Sequence, residues 1–225
     1  MPKTSITLQI NNLENLQKTV KDMHKPVEKA LQRTMSDLKK QGPAVVRKQV
    51  TAVYNINKKE IQPGAVKKGK DGSIQKIKQA ANIKTEGKTV DTFTMVYTGR
   101  LLTPVHFSMT PKAPKANGDS YKLYMTVLKG KKELIGRYKK KRKPNGPYSK
   151  RSHNILMGTG NTQGEGTNYI PFQRMSTRRL DLKKFTTLSV PQMIDNPKVN
   201  EAIYTELMDY AVKRLNKHSA SFIGK

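Results

Sequence analysis

Asn196-Pro197-Lys198-Val199-Asn200-Glu201-Ala202-Ile203-Tyr204-Thr205-Glu206-Leu207 carries the plainest structural signal in the chain. Val199, Ala202, Ile203, Leu207, Tyr210, Ala211 and Leu215 recur at helical intervals, so one stripe of the segment is apolar. Asn196 supplies a side-chain acceptor for the first free backbone amides, and Pro197 fits the first helical position, where no amide donor is needed. A C-terminal helix is predicted, with the tail from Ser219 to Lys225 expected to fray or to dock on a neighbour.

Immediately before it stands Leu188-Ser189-Val190-Pro191-Gln192-Met193. Pro191 biases Val190 towards an extended backbone, which predicts a rigid arm leading into the helix. Such an arm either reaches a neighbouring subunit or packs Val190 and Met193 into the chain's own core, and both readings stand at this point.

The other end of the chain is also helical in pattern. Leu13, Leu16, Val20, Met23, Val27, Ala30, Leu31, Met35 and Leu38 form one stripe, capped by Asn11 or Asn12 and kinked or divided near His24 by Pro26. Gly42-Pro43 is expected to end it, with Ala44, Val45, Val46, Gln49, Val50 and Val53 opening a second helix. A short turn over Asn57-Lys58-Lys59-Glu60-Ile61 follows and closes on Pro63-Gly64.

Between the ends the composition changes. Thr92 to Tyr97, Val105 to Met109 and Tyr121 to Leu128 are rich in β-branched and aromatic residues and read as strands, with weaker signals at Ile135 to Tyr138, Ile155 to Met157 and Tyr169 to Phe172. Lys67 to Asp71, Lys139 to Gly146 and the glycine-rich Thr159 to Asn168 read as loops. The expected fold is therefore α+β: N-terminal and C-terminal helices packed on a mainly antiparallel central sheet with long basic loops. One domain spans 1–225, divided into a helical part at 1–62, a β-rich part at 63–194 and the helix at 195–225.

Charge constrains the partners. The 225 residues hold 44 Lys plus Arg against 16 Asp plus Glu, a formal net charge of +28. A field of that sign favours polyanions, acidic protein surfaces or anionic membranes. Lys67, Lys68 and Lys70, with the run Lys139-Lys140-Lys141-Arg142-Lys143, are the candidate polyanion- or DNA-facing residues. Tyr138 and Tyr148 flank the run, which is thin support for base stacking. Cysteine is absent, which excludes disulfides and thiolate ligands. No stretch approaches the length needed to span a bilayer and no signal-peptide core follows Met1, so neither secretion by that route nor a membrane partner is expected.

Catalytic constellations are not legible. His24, His106, His153 and His218 lack the spacing of a helical metal pair, and no Gly-x-Ser-x-Gly elbow occurs. Glu133, Glu165 and Asp181 have no context for acid or base work, and the loop from Gly158 to Gly166 lacks the Gly-Lys-Ser/Thr ending of a phosphate-binding loop. The expectation is no enzyme, no metal and no cofactor.

Two stretches together resemble the phage minor tail protein Z family, the tail completion proteins of lambda-like long-tailed phages. Ala30-Leu31-Gln32-Arg33-Thr34, running through Val45-Val46-Arg47-Lys48 to Tyr54-Asn55-Ile56-Asn57-Lys58-Lys59-Glu60-Ile61, is similar to that family's N-terminal helix. Arg178-Arg179-Leu180-Asp181-Leu182 and then Leu188-Ser189-Val190-Pro191-Gln192-Met193 resemble its "Leu-Pro-Ile … Gly-Pro-Ser-Val-Pro-Gln-Met" segment, with Thr187-Leu188 in place of Gly-Pro and Asp181 in place of proline. The likeness covers the two ends, about half of the chain.

The resemblance implies a structural protein at the head-proximal end of the virion tail, assembled in the host bacterial cytoplasm, that completes the tail and aids head-tail joining. Its implied partners are the tail terminator, the last tube subunits, the tape measure end or the head connector, with several copies in a sixfold ring and possible non-specific contact with genomic DNA. Val190, Pro191, Gln192, Met193, Ile203 and Leu207 are then the expected subunit contacts. Two competing readings come from other classes: a basic module holding nucleic-acid backbone without sequence specificity, and a nuclease, which needs clustered carboxylates.

Overall fold

A computed structural model of the chain describes residues 3–9, 26–61, 66–68, 74–76, 81–89, 92–115, 120–138, 155–159, 169–175 and 182–223. The described elements are β1 (Lys3–Gln9), α1 (Pro26–Val53), β2 (Val66–Lys68), β3 (Ile74–Lys76), β4 (Ala81–Thr89), β5 (Thr92–Gly99), β6 (Tyr121–Met125), β7 (Glu133–Tyr138), β8 (Ile155–Thr159), β9 (Tyr169–Arg174), β10 (Leu182–Lys184), α2 (Val190–Ile194) and α3 (Pro197–Ile223). The architecture is α+β and every strand pairing is antiparallel. The described strands form two three-stranded sheets, β1-β5-β4 and β10-β9-β8, and two ribbons, β2-β3 and β6-β7, instead of one central sheet. Contacts group the residues into two compact units, the first holding 1–51, 58–100 and 189–225, the second 52–57 and 101–188.

In the first unit α1 runs unbroken for 28 residues and passes through Gly42-Pro43. The expected break is absent because the apolar stripe continues across it: Leu31, Met35, Leu38, Val45, Val46 and Val50 are all buried. Burial along two further turns outweighs the single backbone bond that Pro43 forgoes. Gly42 is required for a separate reason. A Cβ there would stand 2.8 Å from Met95 Sδ and 3.1 Å from Phe93 Cζ, both on β5, so α1 lies against that strand at van der Waals contact. On β5, Phe93, Met95 and Tyr97 are buried and alternate with half-buried Thr94, Val96 and Thr98, the period of two expected of a strand with one face on the core.

Ser189 to Met193 is not an extended arm. Only Ser189 is extended, and α2 begins at Val190. The Ser189 amide donates to Gln192 Oε1 at 2.9 Å and the Gln192 amide to Ser189 Oγ at 3.4 Å, a reciprocal capping box. Pro191 sits in the first turn, where its missing donor costs nothing, so the cap overrides the bias of proline on Val190. The helix packs against β5 and β1, with Val190, Met193 and Ile194 fully buried.

The Asn196 side chain then accepts from the Lys198 amide at 3.1 Å and opens α3 as its sequence predicts. Val199, Ile203, Leu207 and Ala211 form its buried stripe. The helix continues through Ser219 to Ile223, beyond the point where fraying was expected.

The 3-10 turn Lys58–Ile61 matches its expected position, with Ile61 buried. The N-terminal part is not wholly helical, since β1 pairs with β5 from Lys3↔Thr98 to Gln9↔Thr92. Residues 10–25, including the expected kink near His24, lie outside the described set.

The second unit is built on a smaller core: Met109, Leu123, Ile135 and Ile155, with Met125, Met157 and Phe185 packed against it. Val105 to Met109 is not a strand. Pro104 at the first position and a His106 N–H to Thr103 carbonyl bond of 3.0 Å fold Pro104–Phe107 into a 3-10 turn, burying Pro104 and Phe107. The strand expected over Tyr121 to Leu128 ends at Met125, and Leu128 instead bridges Tyr54. Strands at Ile135 to Tyr138, Ile155 to Met157 and Tyr169 to Phe172 are present as expected.

Candidate functional site

The residues expected at subunit contacts belong to the chain's own interior. Val190, Met193, Ile203 and Leu207 are fully buried in the first unit and Pro191 is buried beside them. Gln192 is the exposed exception, and its side chain is engaged in the cap. An amphipathic stripe reads the same whether it covers a neighbour or the same chain, which is why the sequence left the choice open. The Ser-x-x-Gln spacing was the signal that would have identified a helix start.

Of the expected polyanion-facing residues, Lys67 and Lys68 lie on strand β2, paired with Gln75 and Ile74, and not in a loop. Lys70 and Lys139, Lys140, Lys141, Arg142 and Lys143 fall outside the described residues, as do His24, His153, Glu165 and Asp181. Glu133 pairs with Lys131 at 3.1 Å.

Sequence reasoning did not anticipate the polar seam between α1 and α3. Near its middle, Glu206 accepts from Lys48 Nζ at 2.7 Å and from Gln49 Nε2, bonds that hold its carboxyl below the ordinary carboxylate range. Lys198, Glu201, Thr205 and Asp209 complete an open groove of about 630 Å³ around this contact. Further along, Asp37 Oδ2 meets His218 Nε2 at 3.0 Å and Arg214 Nε at 3.2 Å. Arg214 Nε also donates to Tyr210 Oη at 3.0 Å. The His218 hydrogen bond, followed by the Arg214 charge, holds the Asp37 carboxyl low. These contacts, Lys48 to Glu206 and Asp37 to His218, align the two helices antiparallel. No periodicity pairs such distant positions, so they were not legible in the sequence.

Chemically, the seam is a set of ion pairs closed on themselves, suited to fixing two helices. Among the described residues no group of three or more His, Asp or Glu side chains is placed to hold a metal ion. Among them, too, no helix is long and apolar enough to cross a membrane. The hydroxyl of Tyr97 is buried without a hydrogen-bond partner, and burial raises its pKa well above the ordinary tyrosine value. Its ring fills the sheet-helix core, a packing role. No protein-family model, curated protein or solved structure matches the chain.

Proposed function

We propose that this protein is a structural component of a long-tailed phage virion, a tail completion protein at the head-proximal end of the tail that aids head-tail joining. One observation carries the reading. Parts of the two separated stretches that resemble the minor tail protein Z family meet on one strand: α1 lies on β5 through Gly42, and α2, formed from Val190-Pro191-Gln192-Met193-Ile194, packs on the same strand. Stretches more than a hundred residues apart that share one small sheet form a structural unit, which is what a likeness to a single family requires.

On this reading the protein acts by assembly and not by catalysis, in several copies in a ring, beside the tail terminator, tube, tape measure end or head connector. Subunit contacts then fall on surfaces other than the buried α2 and α3 stripes, and Tyr204 and Val212 on α3 are exposed apolar candidates. The helices and sheet of the first unit form the framework. The basic run Lys139 to Lys143 is, by its charge alone, the candidate for contact with DNA in the lumen or with acidic ring proteins.

Immunoelectron microscopy of virions carrying an epitope-tagged copy of the chain tests the proposal. Label at the junction of head and tail is expected, and deleting the gene should leave filled heads and separate tails. Label confined to another part of the particle, or normal joined virions without the gene, sinks it. The charge of +28 keeps a second reading in play, a sequence-independent nucleic-acid-binding module. Steeply salt-dependent duplex binding by a chain that never enters particles would favour that reading.

A further inference from the structure

We propose that the exposed face of the β6-β7 ribbon is a binding surface for the phosphate backbone of duplex DNA. The ribbon has two unlike faces. Leu123 and Ile135 turn into the core of the second unit, whereas Lys122 and Arg137 are exposed and stand directly opposite each other across the strands. Their Cβ atoms are then about 5 Å apart. Tyr124 and Leu134 are the next cross-strand pair, after the register shift, and Lys132 Nζ lies 4.9 Å from the centre of the Tyr124 ring.

Like charges directly opposite on a sheet oppose strand pairing, so the Lys122-Arg137 pair does nothing for the fold. Neither meets a carboxylate among the described residues. The turn of the ribbon adds Lys129 and Lys131, both exposed. Its position is fixed by backbone bonds from the Lys129 amide to Val53 at 3.0 Å and from the Asn55 amide to Val127 at 2.8 Å. Glu133 is the sole acid between Tyr121 and Tyr138, against Lys122, Lys129, Lys131, Lys132 and Arg137, and Lys131 already engages it. A rigid element with that balance is complementary to a polyanion.

The aromatic rings select the kind of polyanion. Single-stranded nucleic acid is held by bases stacking on open ring faces. Here Tyr121 is buried and stacked on Tyr138 at 5.0 Å, and Tyr124 is covered by Lys132, so the surface presents cations and not ring faces. A two-stranded ribbon also has the dimensions that the major groove of a duplex admits. No exposed Asn or Gln lies on this face to read adenine, so recognition runs through phosphates and is independent of sequence. The residues that form it, Lys122, Lys129, Lys131, Lys132 and Arg137, are other than the Lys67, Lys68, Lys70 and 139–143 named from the sequence, and its binding does not depend on the tail reading.

The test is fluorescence anisotropy of the full chain with a labelled duplex of about 20 base pairs, titrated between roughly 50 and 200 mM salt. The pair Lys122→Gln and Arg137→Gln should weaken binding about tenfold and lower the slope of log affinity against log salt by about 2. Lys213→Gln with Lys217→Gln, an equal charge loss on α3 in the first unit, should leave the slope unchanged, and the charge-keeping pair Lys122→Arg with Arg137→Lys should bind like the parent. Equal losses for the two Gln pairs overturn the proposal. So do single strands binding more tightly per phosphate than the duplex, or polyglutamate displacing the duplex charge for charge.

Discussion

Among the described residues, six of the eight large apolar side chains left exposed, Leu101, Val105, Leu128, Leu134, Met175 and Leu182, belong to the second unit, while the first exposes Tyr204 and Val212. The first unit instead hides its apolar surface in long stripes of α1 and α3 and on the inner face of β5. The difference follows from element length. A 27- or 28-residue helix carries enough apolar positions to cover a three-stranded sheet, whereas the second unit has short strands, a ribbon and a 3-10 turn around four central side chains. Among the described residues, the first unit thus covers its apolar stripes more completely than the second.

That contrast can be broken most severely at Gly42. Gly42→Val would force a branched side chain into the 2.8 Å approach to Met95, and since Phe93 and Met95 are fully buried their side chains can give way only by repacking the core. We expect a loss of about 3 kcal/mol in urea unfolding, with hydrogen exchange accelerating in β5 more than in β6. Equal acceleration in both would mean that the units do not differ in this way.

Leu123→Ala, at the centre of the second core, should cost about 2 kcal/mol, at the low end for a buried leucine because so small a core relaxes into part of the cavity. Exchange in β6 to β9 should rise while the amides of α1 keep their protection. Loss of α1 protection at the same rate counts against separate cores.

A smaller effect is expected at the seam. The folded value of the Asp37 carboxyl lies below its unfolded value, so its contribution is complete above the ordinary aspartate value near 4 and is lost as pH falls through the lower folded value. Asp37→Asn should cost about 1 kcal/mol at neutral pH and flatten stability across that acid window, as read from denaturant midpoints against pH. An unchanged acid limb would show that the seam contributes nothing.

The smallest and opposite change is Tyr97→Phe. It removes a buried hydroxyl without a partner and keeps the ring, so stability should hold or rise by up to about 1 kcal/mol. A clear loss in thermal midpoint would reveal a partner for that hydroxyl.

What was legible in the sequence was what repeats locally. The Asn196 cap, the stripe of α3, the turn at Lys58–Ile61 and the β-branched runs of β5, β7, β8 and β9 all express periods or caps contained within a few residues. Where the reading failed, a local rule met a stronger partner. Gly42-Pro43 signals a break in isolation, but β5 supplies the surface that keeps α1 continuous. Pro191 signals extension, but the Ser189-Gln192 cap converts the segment to helix. Val105 to Met109 has strand composition, but Pro104 and the burial of Phe107 impose a turn.

By itself the sequence determined the secondary-structure class, the positions of its best-capped elements and a charge of +28, because each depends on residue type and short-range spacing. Only the tertiary structure decided which apolar stripes face inward, that Asp37 meets His218 and Lys48 meets Glu206, and that Lys122 and Arg137 stand side by side on one exposed face. Those pairings join positions 15 to 181 residues apart, and strand register and helix packing, which depend on the whole chain, set them.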